Sequence, residues 1–175
     1  MTPEFSRPIR LDTIGDQPRR IEIEADAAER AALAARFGLI AIDRLAAAFT
    51  LHREAGGIVA RGNVEGAVSQ ACVVTSEPVP ATLDEPVALR FVNEETADEE
   101  EIELSGEALD TIAIMGGAID LGEAAAETMA LALEPFPRAP GAEAALRDAG
   151  VLSEEQAGPF GALAELKEKL ARGGG

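Results

Sequence analysis

The sequence predicts an α+β domain in which an antiparallel meander of about six strands, forming a partly closed sheet, packs against two helices. Consecutive β-favouring segments between Ile40 and Phe91 are joined by short turns, which favours antiparallel neighbours over βαβ units. Two alanine-rich segments carry capping residues that mark them as helices. Residues 1–137 are expected to form the core, 138–158 a loose connector and 159–175 an amphipathic C-terminal helix.

The first part of the chain contains one strand and one helix with clear local signals. Arg19–Glu24 reads RRIEIE and alternates apolar and charged residues with the period of a half-buried strand. Asp26, with Glu29 three residues later, forms a capping box that starts a helix. This helix should end at Gly38, which supplies a left-handed C-terminal residue. Its Arg36 is expected to remain in water.

The segment Ile40–Phe91 predicts the body of the sheet. Leu45–Leu51 is apolar and flanked by charge, and Glu54–Gly57 provides a tight turn after it. A bend or bulge is expected at Gly62-Asn63, because glycine inside a strand often marks one. Ser76–Pro78 should form the turn that precedes the last strand of the meander.

The stretch Asp110–Pro140 carries most of the hints of function. A short β-favouring run leads into a helix that should end near Leu133, because the prolines that follow cannot continue it. Asp120 occupies the N-cap position, and Glu123 three residues later completes a predicted capping box. Glu123 and Glu127, four residues apart, should form an acidic face in water. The buried stripe of this helix is expected to contain Leu121, Ala125, Thr128 and Ala132.

The whole chain of 175 residues has a net charge of −17, and most of this negative charge lies in its second half. Residues 1–93 hold 13 acidic residues and 10 arginines, whereas residues 94–175 hold 19 acidic and 5 basic residues. This half is either a solvated surface that aids solubility or a docking face for a basic partner. Direct nucleic-acid binding through it is disfavoured, because phosphate contacts need Lys and Arg. The sequence leaves open whether RNA contacts Arg19, Arg20, Arg44 and Arg61.

A docking face would draw on the acidic residues of this half and on the apolar side of the C-terminal helix. That helix either folds back on the sheet or enters a groove of a partner. The residues expected to contact a partner are Asp120, Glu123, Glu127, Glu134, Glu99, Glu100, Phe160, Leu163 and Leu166.

No pattern of catalytic, metal-ligating or cofactor-binding residues is found, so neither an enzyme nor a cofactor is expected. His52 and Cys72 are the only residues of their types, which leaves too few soft ligands for a zinc site. Gly116-Gly117 lacks the context of a phosphate-binding loop. No apolar run is long enough to span a membrane, and the N-terminus lacks the apolar region of a signal peptide. A cytoplasmic protein without a small-molecule substrate is expected.

Three blocks of the sequence resemble the YceD family of large ribosomal RNA subunit accumulation proteins. The first is GNVEGAVSQACVVTSEPV, from Gly62 to Val79, and the second is Gly117–Leu121 followed by Glu127, Leu131–Leu133 and two prolines. The third, GPFGALAELK from Gly158 to Lys167, is similar to the family's terminal N-P-F-x-x-L-x-x-L-K. Many members carry a CxRC pair with a further His and Cys that together resemble a metal site. Here only Cys72 is present.

The resemblance implies a non-enzymatic role in making or protecting the large ribosomal subunit, with loss of the protein lowering its 23S ribosomal RNA. The family's genes commonly lie beside that of a small, very basic large-subunit ribosomal protein. Such a protein is therefore the expected partner, and contact with ribosomal RNA is expected to be indirect. Two alternatives are a generic acidic adaptor unrelated to ribosomes and a hydrolase that uses clustered carboxylates or a metal.

Overall fold

Seven strands in two sheets and three α-helices make up the part of the chain that the computed structural model describes, which is residues 3–55, 57–93, 109–114 and 116–151. The strands are β1 (Pro8–Arg10), β2 (Arg19–Glu24), β3 (Ala41–Glu54), β4 (Gly57–Ala71), β5 (Pro78–Asn93), β6 (Asp110–Ile114) and β7 (Ala118–Asp120). The helices are α1 (Ala27–Phe37), α2 (Leu121–Ala132) and α3 (Ala142–Asp148). The chain divides into two compact units, residues 1–70 with 78–135 and residues 71–77 with 136–175.

The larger sheet has the strand order β2-β3-β4-β5-β6 and confirms the predicted α+β class. β3 pairs antiparallel with both β2 and β4, and Glu54 lies opposite Gly57 in the predicted hairpin. β5 and β6 are parallel, however, so the prediction of an antiparallel meander is wrong at this pair. Residues 94–109 separate these strands, and a connection of that length allows the chain to return before entering β6 in the same direction. Since β2 and β6 stand at opposite ends of the strand order, the described sheet is open rather than partly closed.

A second sheet joins two parts of the chain that are far apart in sequence. β1 pairs antiparallel with β7, with Pro8 opposite Asp120 and Arg10 opposite Ala118. Phe5, which precedes β1, is fully buried in the core of the larger unit. The sequence indicates an extended segment over Phe5–Ile9, but it does not identify residues 118–120 as its partner.

Helix α1 has the predicted bounds. The Asp26 carboxylate accepts hydrogen bonds from the N–H groups of Ala28 and Glu29, and the Glu29 carboxylate accepts one from the Asp26 N–H. Gly38 ends the helix in the left-handed region, with a φ of 66°. The helix packs on β3 and buries Leu33 completely.

Helix α2 begins after Asp120 as predicted and ends at Ala132, one residue before the predicted end at Leu133. It packs on β1, β3 and β5. Thr128 is only half-buried and Ala132 is exposed, so the predicted buried stripe is partly wrong. The residues of α2 that are buried are Leu121, Gly122, Ala124, Ala125, Ala126 and Met129. The predicted bulge at Gly62-Asn63 is also wrong, because β4 is continuous there and the register shifts in β3 between Ile42 and Arg44.

The smaller unit contains the turn after β4 and helix α3. Val73 donates its N–H to the Pro137 carbonyl at 2.9 Å, and Cys72 donates its N–H to the Glu77 carbonyl at 2.8 Å. The predicted C-terminal helix over 159–175 lies outside the described residues, and the predicted division at residues 137 and 158 stays a prediction. In the part of the chain that the structure covers, no helix has the length and apolar character needed to cross a membrane.

Candidate protein-docking site

The N-terminus of α2 is held by Asp120, one of the residues predicted to contact a partner. Its carboxylate accepts hydrogen bonds from the Arg7 N–H at 2.8 Å and the Gly122 N–H at 2.9 Å. It also accepts the Glu123 N–H at 3.2 Å and the Ser6 hydroxyl at 2.5 Å. Because four donors converge on this carboxylate, Asp120 positions α2 against the segment before β1.

Glu123 is bound to an arginine rather than to the helix N-cap. Its carboxylate accepts two hydrogen bonds from the Arg36 guanidinium, at 2.6 and 3.0 Å, so the reciprocal half of the predicted capping box is replaced by an ion pair. Arg36 also binds the Glu4 carboxylate at 3.0 Å and lies 5.0 Å from the centre of the Phe37 ring. Arg36 is exposed, as predicted, although its guanidinium is held by these two carboxylates. The Glu123 hydrogen bonds and the Glu4 hydrogen bond together raise the pKa of Arg36.

Glu127 has a different environment, since it lines two adjoining clefts between α2 and the sheet. One cleft, of about 330 Å³, also contacts Ile114 and Asp120, and the other, of about 470 Å³, also contacts Asp110 and Leu131. Both clefts share Ile112, Ala124 and Glu127, so they form one continuous groove along α2, faced by β6 and, in the larger cleft, also by Glu85–Leu89 of β5. We call it the α2–β6 groove. Glu127 is exposed and takes part in no ion pair with any described residue.

The helix side of the groove is a single stripe of α2. Asp120, Glu123, Ala124, Glu127, Thr128 and Leu131 follow the three- and four-residue spacing of one helix face. Neither cleft is lined by Lys or Arg among the described residues. Glu85, on β5, adds a further carboxylate to the larger cleft. Leu131 is 87% exposed, which is unusual for a large apolar side chain beside a groove. The groove therefore combines carboxylates with apolar surface.

Arg20 and Arg44, two of the arginines considered as possible RNA contacts, are paired with neighbouring acids. Arg20 contacts Glu22 at 3.0 Å and Arg44 contacts Glu65 at 2.8 Å, and all four border a cleft of about 430 Å³ on β2, β3 and β4. A phosphate would have to displace these acids or sit beside them, so this mixed surface is a poorer nucleic-acid site than its arginines alone suggest. The α2–β6 groove is the more uniformly charged of the two.

One protein family matches residues 60–167, which is more than half of the chain, and its description reads "Large ribosomal RNA subunit accumulation protein YceD". The chain belongs to the YceD family. YceD is not a known enzyme family, and its name associates it with the accumulation of large-subunit ribosomal RNA. Comparison of the chain with curated proteins and with solved structures found no match.

The YceD match covers β4 to α3 and so includes both walls of the α2–β6 groove. Of the other residues predicted to contact a partner, Glu134 is exposed just after α2, and its carbonyl accepts the Gln70 side-chain N–H at 2.8 Å. The remaining five lie outside the described residues and stay predictions: Glu99, Glu100, Phe160, Leu163 and Leu166. Sequence reasoning identified Glu127 but missed the β6 wall, because residues 110–114 carry no functional signal of their own.

The Cys72 sulfur is surrounded by backbone N–H groups, which favours its thiolate form. Its sulfur accepts N–H groups from Ala139 at 3.2 Å and from Val74 and Thr75 at 3.4 Å. The Ala139 N–H, followed by the Thr75 hydrogen bonds, lowers the pKa of this thiol from 9.0 to about 7. Within the described ranges, no group of three or more His, Cys, Asp and Glu side chains could hold a metal ion.

Proposed function

We propose that this protein is a non-enzymatic, cytoplasmic ribosome-biogenesis factor that is needed for the accumulation of 23S ribosomal RNA. It acts by binding a basic large-subunit ribosomal protein through its acidic face, and its effect on the RNA is indirect. The observation that carries the proposal is the family match over residues 60–167. The charge distribution supports the protein-binding step, because 13 acidic residues and no Lys or Arg lie between Phe91 and Pro137.

Electrostatics favours a basic protein over bare RNA as the direct partner. A chain with a net charge of −17 repels polyphosphate at low ionic strength and attracts cationic proteins over about one Debye length, roughly 10 Å at 0.1 M salt. A basic ribosomal protein that has not yet met its RNA carries unneutralised Lys and Arg side chains. An acidic face that covers those side chains would keep the protein from binding other nucleic acids and release it when the stronger polyanion, ribosomal RNA, competes.

The acidic residues divide into two roles in this proposal. Asp120 and Glu123 already bind donors within the fold, at the α2 N-terminus and on Arg36. Glu127 is the carboxylate best placed to meet a partner, and Glu134, exposed just after α2, is proposed to take part as well. Glu99 and Glu100 are proposed to add to this face, and Phe160, Leu163 and Leu166 to supply apolar contacts.

The proposal is tested by profiling ribosomal subunits and ribosomal RNA in cells that lack the protein. The expected result is a fall in 23S relative to 16S RNA and in free large subunits, restored by the intact gene. An unchanged ratio of the two RNAs would exclude the ribosomal role. Capture from lysate at moderate salt then separates this role from that of a generic acidic adaptor, which would enrich other proteins and no large-subunit ribosomal protein.

The hydrolase alternative is tested on the same carboxylates. Replacing Glu123 and Glu127 by Gln should leave divalent-cation binding unchanged, because the proposal assigns no metal to the protein. A tight, stoichiometric cation that is lost in the double variant would favour a metal-dependent enzyme instead.

A further inference from the structure

We infer that the α2–β6 groove binds a short, extended, basic segment of the partner by adding it as a strand to the outer edge of β6. The inference rests on the proposed function, since the segment belongs to the basic protein that the acidic face is proposed to bind. It assigns a binding site and a binding mode that charge alone does not specify.

The edge of the sheet supplies the main-chain half of this site. β6 is the last strand in the order, and its pairing within the described sheet is with β5 alone. An edge strand presents N–H and C=O groups that can pair with another chain. β6 has five residues, about 17 Å of extended backbone, and α2 has twelve residues, about 18 Å of helix. The two walls therefore match in length and fit a segment of five or six extended residues.

The two walls also run alongside each other in opposite directions. Ile114, at the end of β6, lines the same cleft as Asp120 at the start of α2. Asp110, at the start of β6, lines the same cleft as Leu131 near the end of α2. A strand added to β6 would consequently lie along most of the length of the helix stripe rather than crossing it at one point.

The side-chain half of the site selects for basic and aliphatic residues. Ile112 and Ile114 are half-buried and pack against the core, as expected for alternate residues of one strand face, and the exposed Ala113 between them lines the groove as well. Alternate side chains of an added strand would project toward α2 and meet Glu127 at the centre and the exposed Leu131 at one end. Nucleic acid is disfavoured because the described residues that line the groove include carboxylates and no Lys or Arg. A second copy of the chain would bring the same negative charge to the groove.

The test titrates fluorescently labelled peptides with the full chain and follows their anisotropy. The first probe is an octapeptide that alternates Lys and Val, and its counterpart alternates Glu and Val. The Lys–Val peptide is expected to bind saturably and more weakly as salt rises, whereas the Glu–Val peptide should not bind. Two further Lys–Val peptides carry N-methyl groups on alternate amides. In one peptide the amides of the Lys residues are methylated, and in the other those of the Val residues. Strand addition predicts that one set of methyl groups abolishes binding and the other does not, because only alternate amides face β6.

Matched variants locate the binding in the groove. Glu127→Gln should lower the affinity for the Lys–Val peptide about fivefold, because it removes one partly exposed charge contact. Glu143→Gln removes another exposed carboxylate, on α3 and outside the groove, and should leave binding unchanged.

Three results would overturn the inference: no saturable binding, equal sensitivity to both sets of N-methyl groups, or equal effects of the two Gln variants. None of these results bears on whether cells lacking the protein lose 23S RNA or whether the full chain captures a ribosomal protein. Failure of the groove and failure of the proposed function are thus distinguishable.

Discussion

Gly122, the second residue of α2, is a position where adding a single methyl group should destabilise the fold. A Cβ added there would lie 2.4 Å from the Phe5 carbonyl oxygen, 2.9 Å from the Phe5 carbonyl carbon and 3.0 Å from the Arg7 nitrogen. All three are backbone atoms, so the clash cannot be relieved by rotating a side chain. Gly122→Ala should therefore push the segment before β1 away from α2.

The size of the effect follows from two opposing contributions. Displacing this segment weakens the Arg7 N–H to Asp120 hydrogen bond and the packing of the fully buried Phe5, together about 2–4 kcal/mol. Replacing a helical glycine by alanine returns at most about 1 kcal/mol. We expect Gly122→Ala to lower the free energy of unfolding by about 1–3 kcal/mol, measured by urea unfolding followed by circular dichroism.

A control and a double-mutant cycle make this prediction specific. Gly117→Ala adds the same methyl group where nothing lies within 4 Å and should change the free energy of unfolding by less than about 0.5 kcal/mol. Phe5→Ala should cost about 3–5 kcal/mol in the parent chain and less in the Gly122→Ala background, where Phe5 has already lost contacts. A stabilising Gly122→Ala, or full additivity with Phe5→Ala, would refute the proposed clash.

Three further predictions concern the polar contacts. Asp120→Ala should lower the free energy of unfolding by about 2–4 kcal/mol in urea titrations, because it removes a helix cap and leaves the Arg7 N–H without its acceptor. Asp120→Asn should lower the free energy of unfolding by less. Glu123→Gln should cost up to about 1 kcal/mol, with a smaller effect at high salt, while Glu127→Gln should leave stability unchanged. Because the folded Cys72 thiol has a pKa of about 7 against 9.0 for an unperturbed thiol, the unfolded chain binds more protons between these values. The stability advantage of the parent over Cys72→Ser should therefore grow as pH rises from 7 to 9 and be lost as pH falls through 7.

Each of these has a result that would contradict it. Equal costs for Asp120→Ala and Asp120→Asn would show that the hydrogen bonds to this carboxylate contribute little. A larger cost for Glu127→Gln than for Glu123→Gln would reverse the roles assigned to the two glutamates. A difference between parent and Cys72→Ser that does not change with pH would mean that the thiolate is not held by the Ala139 N–H.

The sequence was sufficient to predict those elements whose bounds are determined by a few neighbouring residues. Asp26, Glu29 and Gly38 lie within one helix and its caps, and they fixed the bounds of α1. Asp120 likewise marked the start of α2, because an N-cap depends only on the next three residues.

Predictions failed where the partner lies far away in the chain. Glu123 was expected to bond its own N-cap, but Arg36 competes for it from a distance of 87 residues and offers a bidentate ion pair. The parallel pairing of β5 and β6 depends on the path of residues 94–109, whose acidic composition says nothing about strand direction. Only one wall of the groove could be predicted, for the same reason. The acidic residues of α2 follow from the sequence, but the strand that lies opposite them does not.

The pairing of β1 with β7 has a consequence for how the protein is made. Ribosomes deliver Pro8 long before Asp120, and at about 5–20 residues per second the wait is roughly five to twenty seconds. During that interval Phe5 lacks the helix that later covers it, while β2, α1, β3 and β4 can already assemble from contiguous chain. The beginning of this chain is therefore among the last parts to reach its native position, and nascent-chain proteolysis should cut near residues 5–10 until α2 has left the exit tunnel.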